Sequence, residues 1–199
     1  LTGDLTRKTF QKLFQHILNR ARAANEPFTL AYFDIDNFLV VNETYGHVGG
    51  DHVLVSVAEK ARQAIGDKGE VVRYGGDEFI ILLPGMGREQ AFLKLERMRE
   101  MIESESTYGS GEDSFEGHVT ISAGLASYPV DGRTEYELLR KADEALYRAK
   151  LDQRTPSAWR WRNAWLTRPP TIRKPSWNAS PIWQPTNRWA KPNFCARRV

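Results

Sequence analysis

The chain has 199 residues, which is enough for one domain of ordinary size and an additional segment. Its single cysteine excludes an intrachain disulfide framework and any metal site built from several cysteines, and it contains no apolar run near the roughly 20 residues of a membrane-spanning helix. All 25 acidic residues precede Thr155, whereas nine of the 28 basic residues follow Arg154, so the net charge of +3 combines an acidic part with a basic one.

The acidic part alternates between helical and extended patterns. Residues 6–25 carry apolar side chains at intervals of three and four, which indicates an amphipathic helix. The elements predicted after it are a strand at 28–35, a short helix at 37–45 ended by Gly46, a helix at 51–65, a hairpin at 70–83, a helix at 88–104, a Gly/Ser loop at 107–116, a strand at 119–128, and a last helix that follows a capping box at 134–137 and ends near Leu151. This order predicts an α/β fold with a mixed sheet and a layer of helices on each face.

Carboxylates occur at the ends of two predicted strands. Asp34-Ile35-Asp36 ends the first strand, and Asp77-Glu78 follows the paired glycines of the hairpin turn. If the two strands are neighbours, three or four carboxylates converge, and their mutual repulsion favours a hard cation such as Mg²⁺ between them. An ordinary Gly-Asp turn with solvated acids, and two acidic strand ends that arose separately by chance, are the alternatives.

Several spaced motifs together resemble the GGDEF domain of bacterial diguanylate cyclases. They are FDIDNF (33–38), Asn42, YGHVGGD (45–51), RYGGDEF (73–79), TISAGLA (120–126) and ADEALYRAK (142–150). The resemblance covers residues 1–154 and implies a ferredoxin-like sandwich, similar to nucleotide cyclases and the polymerase palm, whose mixed, mostly antiparallel central sheet is flanked by helices. It also implies a transferase that condenses two GTP into cyclic di-GMP and two pyrophosphates as a homodimer, with one GTP in each subunit.

The same resemblance implies roles for individual residues. Asp34, the carbonyl of Ile35 and Asp77 match ligands of Mg²⁺ or Mn²⁺, and Asp77, with Glu78 beside it, matches the acceptor of the proton from the attacking 3′-hydroxyl. The substrate-binding positions are Asn42 and Asp51, which read guanine, His47, and Lys150 and Arg154, which hold the triphosphate. A packed histidine at 47, a surface asparagine at 42 and a solvated helix end at 150–154 are the structural alternatives.

Two departures from the family pattern concern catalysis and its regulation. The family usually has lysine after Phe38, where this chain has Leu39, and the loss of one such cation could lower the rate by about 10². The sequence therefore predicts a slow cyclase, and the alternative is a degenerate domain that binds GTP as a regulatory module. The Arg-x-x-Asp motif of product inhibition corresponds here to residues 66–69, which read GDKG, so we expect no feedback inhibition through that site.

Residues 155–199 form a basic tail that differs from the rest of the chain. They hold all six tryptophans and seven of the ten prolines, together with no acidic residue, and we predict that they are disordered. We favour an extension without a selected role over an arm that binds anionic surfaces such as nucleic acid or membrane. Because the chain begins at Leu1 without methionine, we expect an upstream sensor domain outside it. We also expect a cytoplasmic location, with tethering if that sensor lies in a membrane.

Overall fold

The computed structural model of the protein describes residues 7–111 and 114–151. Its helices are α1 (Arg7–Ala24), α2 (Phe38–Ile65), α3 (Arg88–Glu103) and α4 (Glu135–Leu151), and a 3₁₀ turn at Gly66–Lys68 follows α2. Its strands are β1 (Phe28–Ile35), β2 (Glu70–Arg73), β3 (Glu78–Pro84), β4 (Thr107–Tyr108), β5 (Phe115–Glu116) and β6 (Ile121–Tyr128). Arg154 and the predicted tail lie outside the described residues.

The main sheet has four strands in the order β2-β3-β1-β6. Its three pairings, β2 with β3, β3 with β1, and β1 with β6, are all antiparallel. Helix α2 connects β1 to β2 and helix α3 connects β3 to β6, which is the ferredoxin-like arrangement. The predicted sandwich is confirmed, and it places the end of β1 in the middle of the sheet.

Two apolar cores separate the sheet from its helix layers. On β1, Ala31, Phe33 and Ile35 face the core that includes α2 and α3, whereas Phe28, Leu30 and Tyr32 face the core that includes α1 and α4. Successive side chains of a strand point to opposite faces, so the central strand serves both cores. By the same alternation Asp34 belongs to the face that α4 covers.

Helix α2 contains a break at Gly46. The glycine has φ 71° and ψ 176°, a left-handed conformation that divides the helix into segments 38–45 and 47–65. The predicted end of the first segment is confirmed, but the second segment begins at His47 rather than at the predicted residue 51. Gly49 and Gly50 are both buried in this added turn, where a Cβ on either would collide with Tyr45 or Asn42.

The loop prediction for residues 107–116 was wrong at both ends. Strands β4 and β5 pair there in a second, two-stranded sheet, with Tyr108 opposite Phe115. Tyr108 is buried, and Phe115 stacks on Tyr45 of α2 with ring centroids 3.9 Å apart. This distant aromatic partner explains why a short Gly/Ser-rich stretch forms strands.

Within residues 7–111 and 114–151, no helix combines the length and the apolarity needed to span a membrane.

Candidate active site

The two acidic strand ends meet at one end of the main sheet. Asp34 of β1 lies directly opposite Glu78 of β3, and the Ile35 N–H donates a hydrogen bond of 3.2 Å to the Asp77 carbonyl. The two strands are therefore neighbours in the sheet, which is the condition for their acids to converge. Carboxylates that are more than 40 positions apart in the chain become adjacent because β3 pairs with β1 rather than only with β2.

The hairpin turn holds the second pair of acids in a fixed conformation. The N–H groups of Tyr74 and Gly75 donate to the Glu78 carbonyl at 2.8 and 3.1 Å, and the Arg73 guanidinium donates two hydrogen bonds to the Gly76 carbonyl. The Glu78 carboxylate folds back over Gly75, where any Cβ would collide with it. A side chain at this position would therefore displace the Glu78 carboxylate.

Asp34 is a buried acid with a lysine partner. Its relative exposure is 8%, and the Lys150 Nζ lies 2.8 Å from its Oδ1. Burial raises the pKa of the Asp34 carboxyl to about 6; the Lys150 ammonium opposes this shift, while the charges of Asp77 and Glu78 add to it. Lys150, which was predicted to hold a triphosphate, therefore contacts a predicted metal ligand in this structure.

Glu78 has neighbours that the sequence analysis did not identify. Burial raises the pKa of Glu78, the charges of Asp77 and Asp143 add to the shift, and a hydrogen bond with the Tyr32 phenol opposes it. Burial and the charge of Glu78 in turn raise the pKa of Tyr32. Tyr32 precedes Asp34 by two residues on the same strand face, and Asp143 precedes Lys150 by two helical turns. Each residue thus lies on the same face of its strand or helix as a predicted site residue, and this spacing could have identified Tyr32 and Asp143 from the sequence.

Asp36, the second acid of the first strand end, has a structural role. Its carboxylate accepts hydrogen bonds from the Thr120 hydroxyl at 2.7 Å and the Ser122 hydroxyl at 2.6 Å. Its N–H donates to the Thr120 carbonyl at 2.9 Å. Asp36 therefore joins the end of β1 to β6 and fixes the position of Asp34 two residues before it.

The predicted nucleotide-reading residues lie on α2, on both sides of its break. Asn42 is half-buried, and its side chain lies against Gly50, which brings the first segment onto the second. Asp51, half-buried, follows Gly50 directly, and His47 is exposed next to the break. His47 is therefore not the packed core histidine of the structural alternative. Leu39 is 57% exposed in the first turn of the helix.

The chemistry of the strand ends fits a hard divalent cation. Among the described residues, no three Asp, Glu, His or Cys side chains group together as a metal site. The ligand set implied by the family resemblance needs only two carboxylates, from Asp34 and Asp77, and the carbonyl of Ile35. Oxygen donors of this kind are what Mg²⁺ and Mn²⁺ prefer, with the remaining positions available to water or phosphate. The Lys150 ammonium at Asp34 shows that a positive charge is stabilised at this point.

Comparisons with known proteins agree with the fold. The family model described as "Diguanylate cyclase, GGDEF domain" matches residues 1–156. Diguanylate cyclase A of Treponema denticola is 34% identical over 147 residues, which are 73% of this chain and 39% of that protein. The GGDEF domain structure of YfiN (TpbB) from Pseudomonas aeruginosa is 29% identical, has a TM-score of 0.72, and is matched over 76% of this chain and 93% of its own.

A further similar structure contains a nucleotide. It is the GGDEF domain of DgcB from Caulobacter crescentus in complex with c-di-GMP, with 28% identity, a TM-score of 0.69, and coverage of 76% of this chain and 88% of that chain. The curated relatives are longer proteins. This chain spans 39% of the Treponema protein and 32% of diguanylate cyclase DosC of Escherichia coli.

Proposed function

This chain belongs to the diguanylate cyclase GGDEF domain family, and we propose that it condenses two GTP into cyclic di-GMP and two pyrophosphates. The observation that carries the proposal is the pairing of β1 with β3, which sets Asp34 opposite Glu78 and joins Ile35 to Asp77. Oxygen donors at the ends of these two strands suit phosphoryl-transfer chemistry, in which charge neutralisation matters more than covalent help.

Three groups at the strand ends would hold the metal. Asp34, the carbonyl of Ile35 and Asp77 are the proposed ligands. A bound Mg²⁺ or Mn²⁺ supplies neutralisation of phosphate charge and a lower pKa for the attacking hydroxyl. Asp77 accepts the proton of the 3′-hydroxyl, and Glu78 stands beside it. The attacking oxygen then forms a bond to the α-phosphorus as the bond from that phosphorus to pyrophosphate breaks.

The remaining residues select and orient the nucleotide. Asp51 accepts the two parallel N–H donors of guanine, N1–H and N2–H, while Asn42 contacts the same base and His47 completes the substrate site. Adenine lacks that pair of donors, so the contact favours GTP by about 1–3 kcal/mol. Lys150 and Arg154 are the proposed partners of the triphosphate. Each chain holds one GTP, and two copies face each other as a homodimer to join the two nucleotides.

A second function is favoured by Leu39. This position is exposed at the start of α2, where a lysine of the family would supply a cation to the reacting phosphates. Without that cation the same domain can bind GTP as a regulatory module and turn it over slowly or not at all. The two functions differ in product formation and agree in nucleotide binding.

Product formation is the decisive experiment. The purified chain is incubated at high concentration with GTP and either Mg²⁺ or Mn²⁺, and cyclic di-GMP is identified by mass spectrometry. We expect slow formation that Asp34→Asn and Asp77→Asn abolish. The exposed Asp67→Asn, at the start of the 3₁₀ turn after α2, serves as a control that keeps the activity. Tight GTP binding with no product under either metal would reject the cyclase and support the regulatory module.

A further inference from the structure

Lys150 has two roles in the proposed site that compete with each other. Its Nζ lies 2.8 Å from Oδ1 of Asp34, a proposed metal ligand, and yet it is also a proposed partner of the triphosphate. A divalent ion on the Asp34 carboxylate would bring two positive charges close together. Since like charges in a partly buried site repel, an ion on Asp34 favours departure of Lys150 from this carboxylate.

The surroundings of Lys150 allow such a movement. The lysine is in the last turn of α4, and its side chain is 39% exposed, whereas the side chain of Asp34 is only 12% exposed. The carboxylate is therefore fixed and the ammonium is at the end of a flexible stem that reaches solvent. The lysine also lies close enough to Glu78 and Asp143 to favour their charged forms.

We propose that Lys150 is an exchangeable counter-ion, which neutralises Asp34 in the free protein and transfers to the nucleotide phosphates when a divalent ion replaces it. Metal and GTP then bind cooperatively. The ion removes the partner of Lys150 and frees the lysine for phosphate; GTP draws the lysine away and opens Asp34 to the ion. The coupling is reciprocal, as any equilibrium linkage between two ligands must be. This inference rests on the proposed function, because it needs the metal and nucleotide positions assigned there.

Binding of Mn²⁺ to the full chain without turnover tests the exchange. Free Mn²⁺ is measured by electron paramagnetic resonance, with and without a GTP analogue that carries a methylene bridge between the α- and β-phosphorus. For Lys150→Gln we expect Mn²⁺ alone to bind about fivefold tighter than to the wild type, because the ion no longer displaces a partly exposed lysine from Asp34. The analogue should then improve Mn²⁺ binding less in this variant than in the wild type.

Two matched controls separate the exchange from a general effect of charge. Lys141→Gln removes an equal charge from the same helix, where Lys141 pairs with Glu144 at 3.3 Å, and it should leave Mn²⁺ affinity unchanged within about twofold. In the Asp34→Asn background, Lys150→Gln should give no gain, because the contact is already lost. No gain for Lys150→Gln, or an equal gain for Lys141→Gln, would overturn the proposal.

Failure of the lysine exchange can be distinguished from failure of the proposed cyclase function. If the chain forms no cyclic di-GMP but the Mn²⁺ pattern holds, the cyclase is rejected and the exchange stands. If Asp34→Asn leaves Mn²⁺ affinity unaltered, the metal assignment is wrong and the exchange is rejected with it.

Discussion

Leu39 is the residue at which the chain departs from its family near the chemistry. It lies in the first turn of α2, four residues after Ile35, and more than half of its side chain is exposed. An apolar residue gains little from such a position, since its surface remains in water. The leucine therefore has no packing role that a lysine would disturb.

For this reason we predict that Leu39→Lys increases the rate of cyclic di-GMP formation. A preorganised cation at a developing phosphate charge is worth about 10² in rate, and a gain of roughly tenfold or more is expected here. The matched control is Val40→Lys, the next residue, which is 55% exposed. Product formation under saturating GTP gives the comparison. Equal rates for wild type and Leu39→Lys would indicate that another cation already serves the phosphates.

The two glycines that replace the product-inhibition motif are needed by the fold. Gly66 has φ 59°, which a residue with a side chain adopts only with strain. A Cβ on Gly69 would lie 2.6 Å from the Leu82 carbonyl oxygen and 2.8 Å from the Ile65 side chain. The arginine and aspartate of the family motif therefore cannot be restored without local rearrangement.

Because both motif residues are missing, we predict that added cyclic di-GMP does not slow the wild type.

From the contacts of Gly69 we predict that Gly69→Asp destabilises the domain. Overpacking of this kind costs about 1–3 kcal/mol, measured by urea unfolding. The control is Gly87→Asp, at the N-cap of α3, where the nearest heavy atom to a Cβ is 4.0 Å away. That variant should keep or increase stability, because aspartate is a favourable N-cap. Inhibition of the wild type at micromolar cyclic di-GMP, or a Gly69→Asp variant as stable as the control, would contradict this account.

At the scale of elements, the N-terminus of α4 is secured by the capping box that the sequence predicted. Glu137 Oε2 accepts hydrogen bonds from the N–H of Arg133 at 2.7 Å and of Thr134 at 3.1 Å, and the Glu137 N–H donates to the Thr134 hydroxyl at 3.3 Å. The hydrogen bonds from Arg133 and Thr134 lower the pKa of Glu137. The helix that carries Lys150 into the site thus begins at a fixed point.

The lowered pKa of Glu137 determines how the stability contributed by this cap changes with pH. The carboxylate stabilises the native state at neutral pH, and the contribution is lost as pH falls below the ordinary glutamate range through the lowered pKa. We predict that Glu137→Gln lowers the melting temperature at pH 7 and that the difference from wild type narrows toward pH 3. Thr134→Ala should cost about 1 kcal/mol at neutral pH.

The control for this prediction is Glu135→Gln. Glu135 is in the same helical turn, and its carboxylate accepts a hydrogen bond from the Gln15 side chain instead of from the main chain. Melting curves from pH 3 to pH 8 give the comparison. A Glu137→Gln difference that stays constant or grows as the pH falls would show that the cap does not depend on the charge of Glu137.

The N-terminus of α4 also shows which structural features a local sequence pattern can predict. The capping box at 134–137 was predictable because all of its hydrogen bonds connect residues at most four positions apart. Strands β4 and β5 were not predictable, because they depend on packing of Phe115 against Tyr45, 70 positions earlier. Residues whose structure is decided by a distant partner carry no local periodicity.

At the scale of the whole molecule, the periodic patterns predicted helices on both faces of a sheet, whereas the sandwich with its mostly antiparallel order was implied by the family resemblance. The acids at the ends of β1 and β3 followed from that sheet. The contact between Lys150 and Asp34 did not, since it depends on how α4 crosses the sheet. No motif spacing encodes that crossing, and the family resemblance indicated a phosphate partner for the lysine.

The proposed reaction places a requirement on the assembly. One chain offers one set of the proposed guanine-reading residues on α2, while the product of the proposed reaction contains two guanines, so this reaction needs two copies to meet. We predict that the specific activity of the purified chain falls on dilution over about 100-fold, as mass action requires for a dimer that dissociates. Cyclic di-GMP formed per chain and per unit time is measured at each concentration with saturating GTP.

A mixing experiment tests the same requirement independently. An excess of Asp77→Asn chains added to a fixed amount of wild type should lower its rate, because mixed dimers contain only one competent metal site. An equal excess of the exposed Asp67→Asn chain should raise the total rate, because that variant keeps its own site. If specific activity stays constant on dilution and the Asp77→Asn chain has no effect, each chain completes the reaction alone, and the facing arrangement of two copies is wrong.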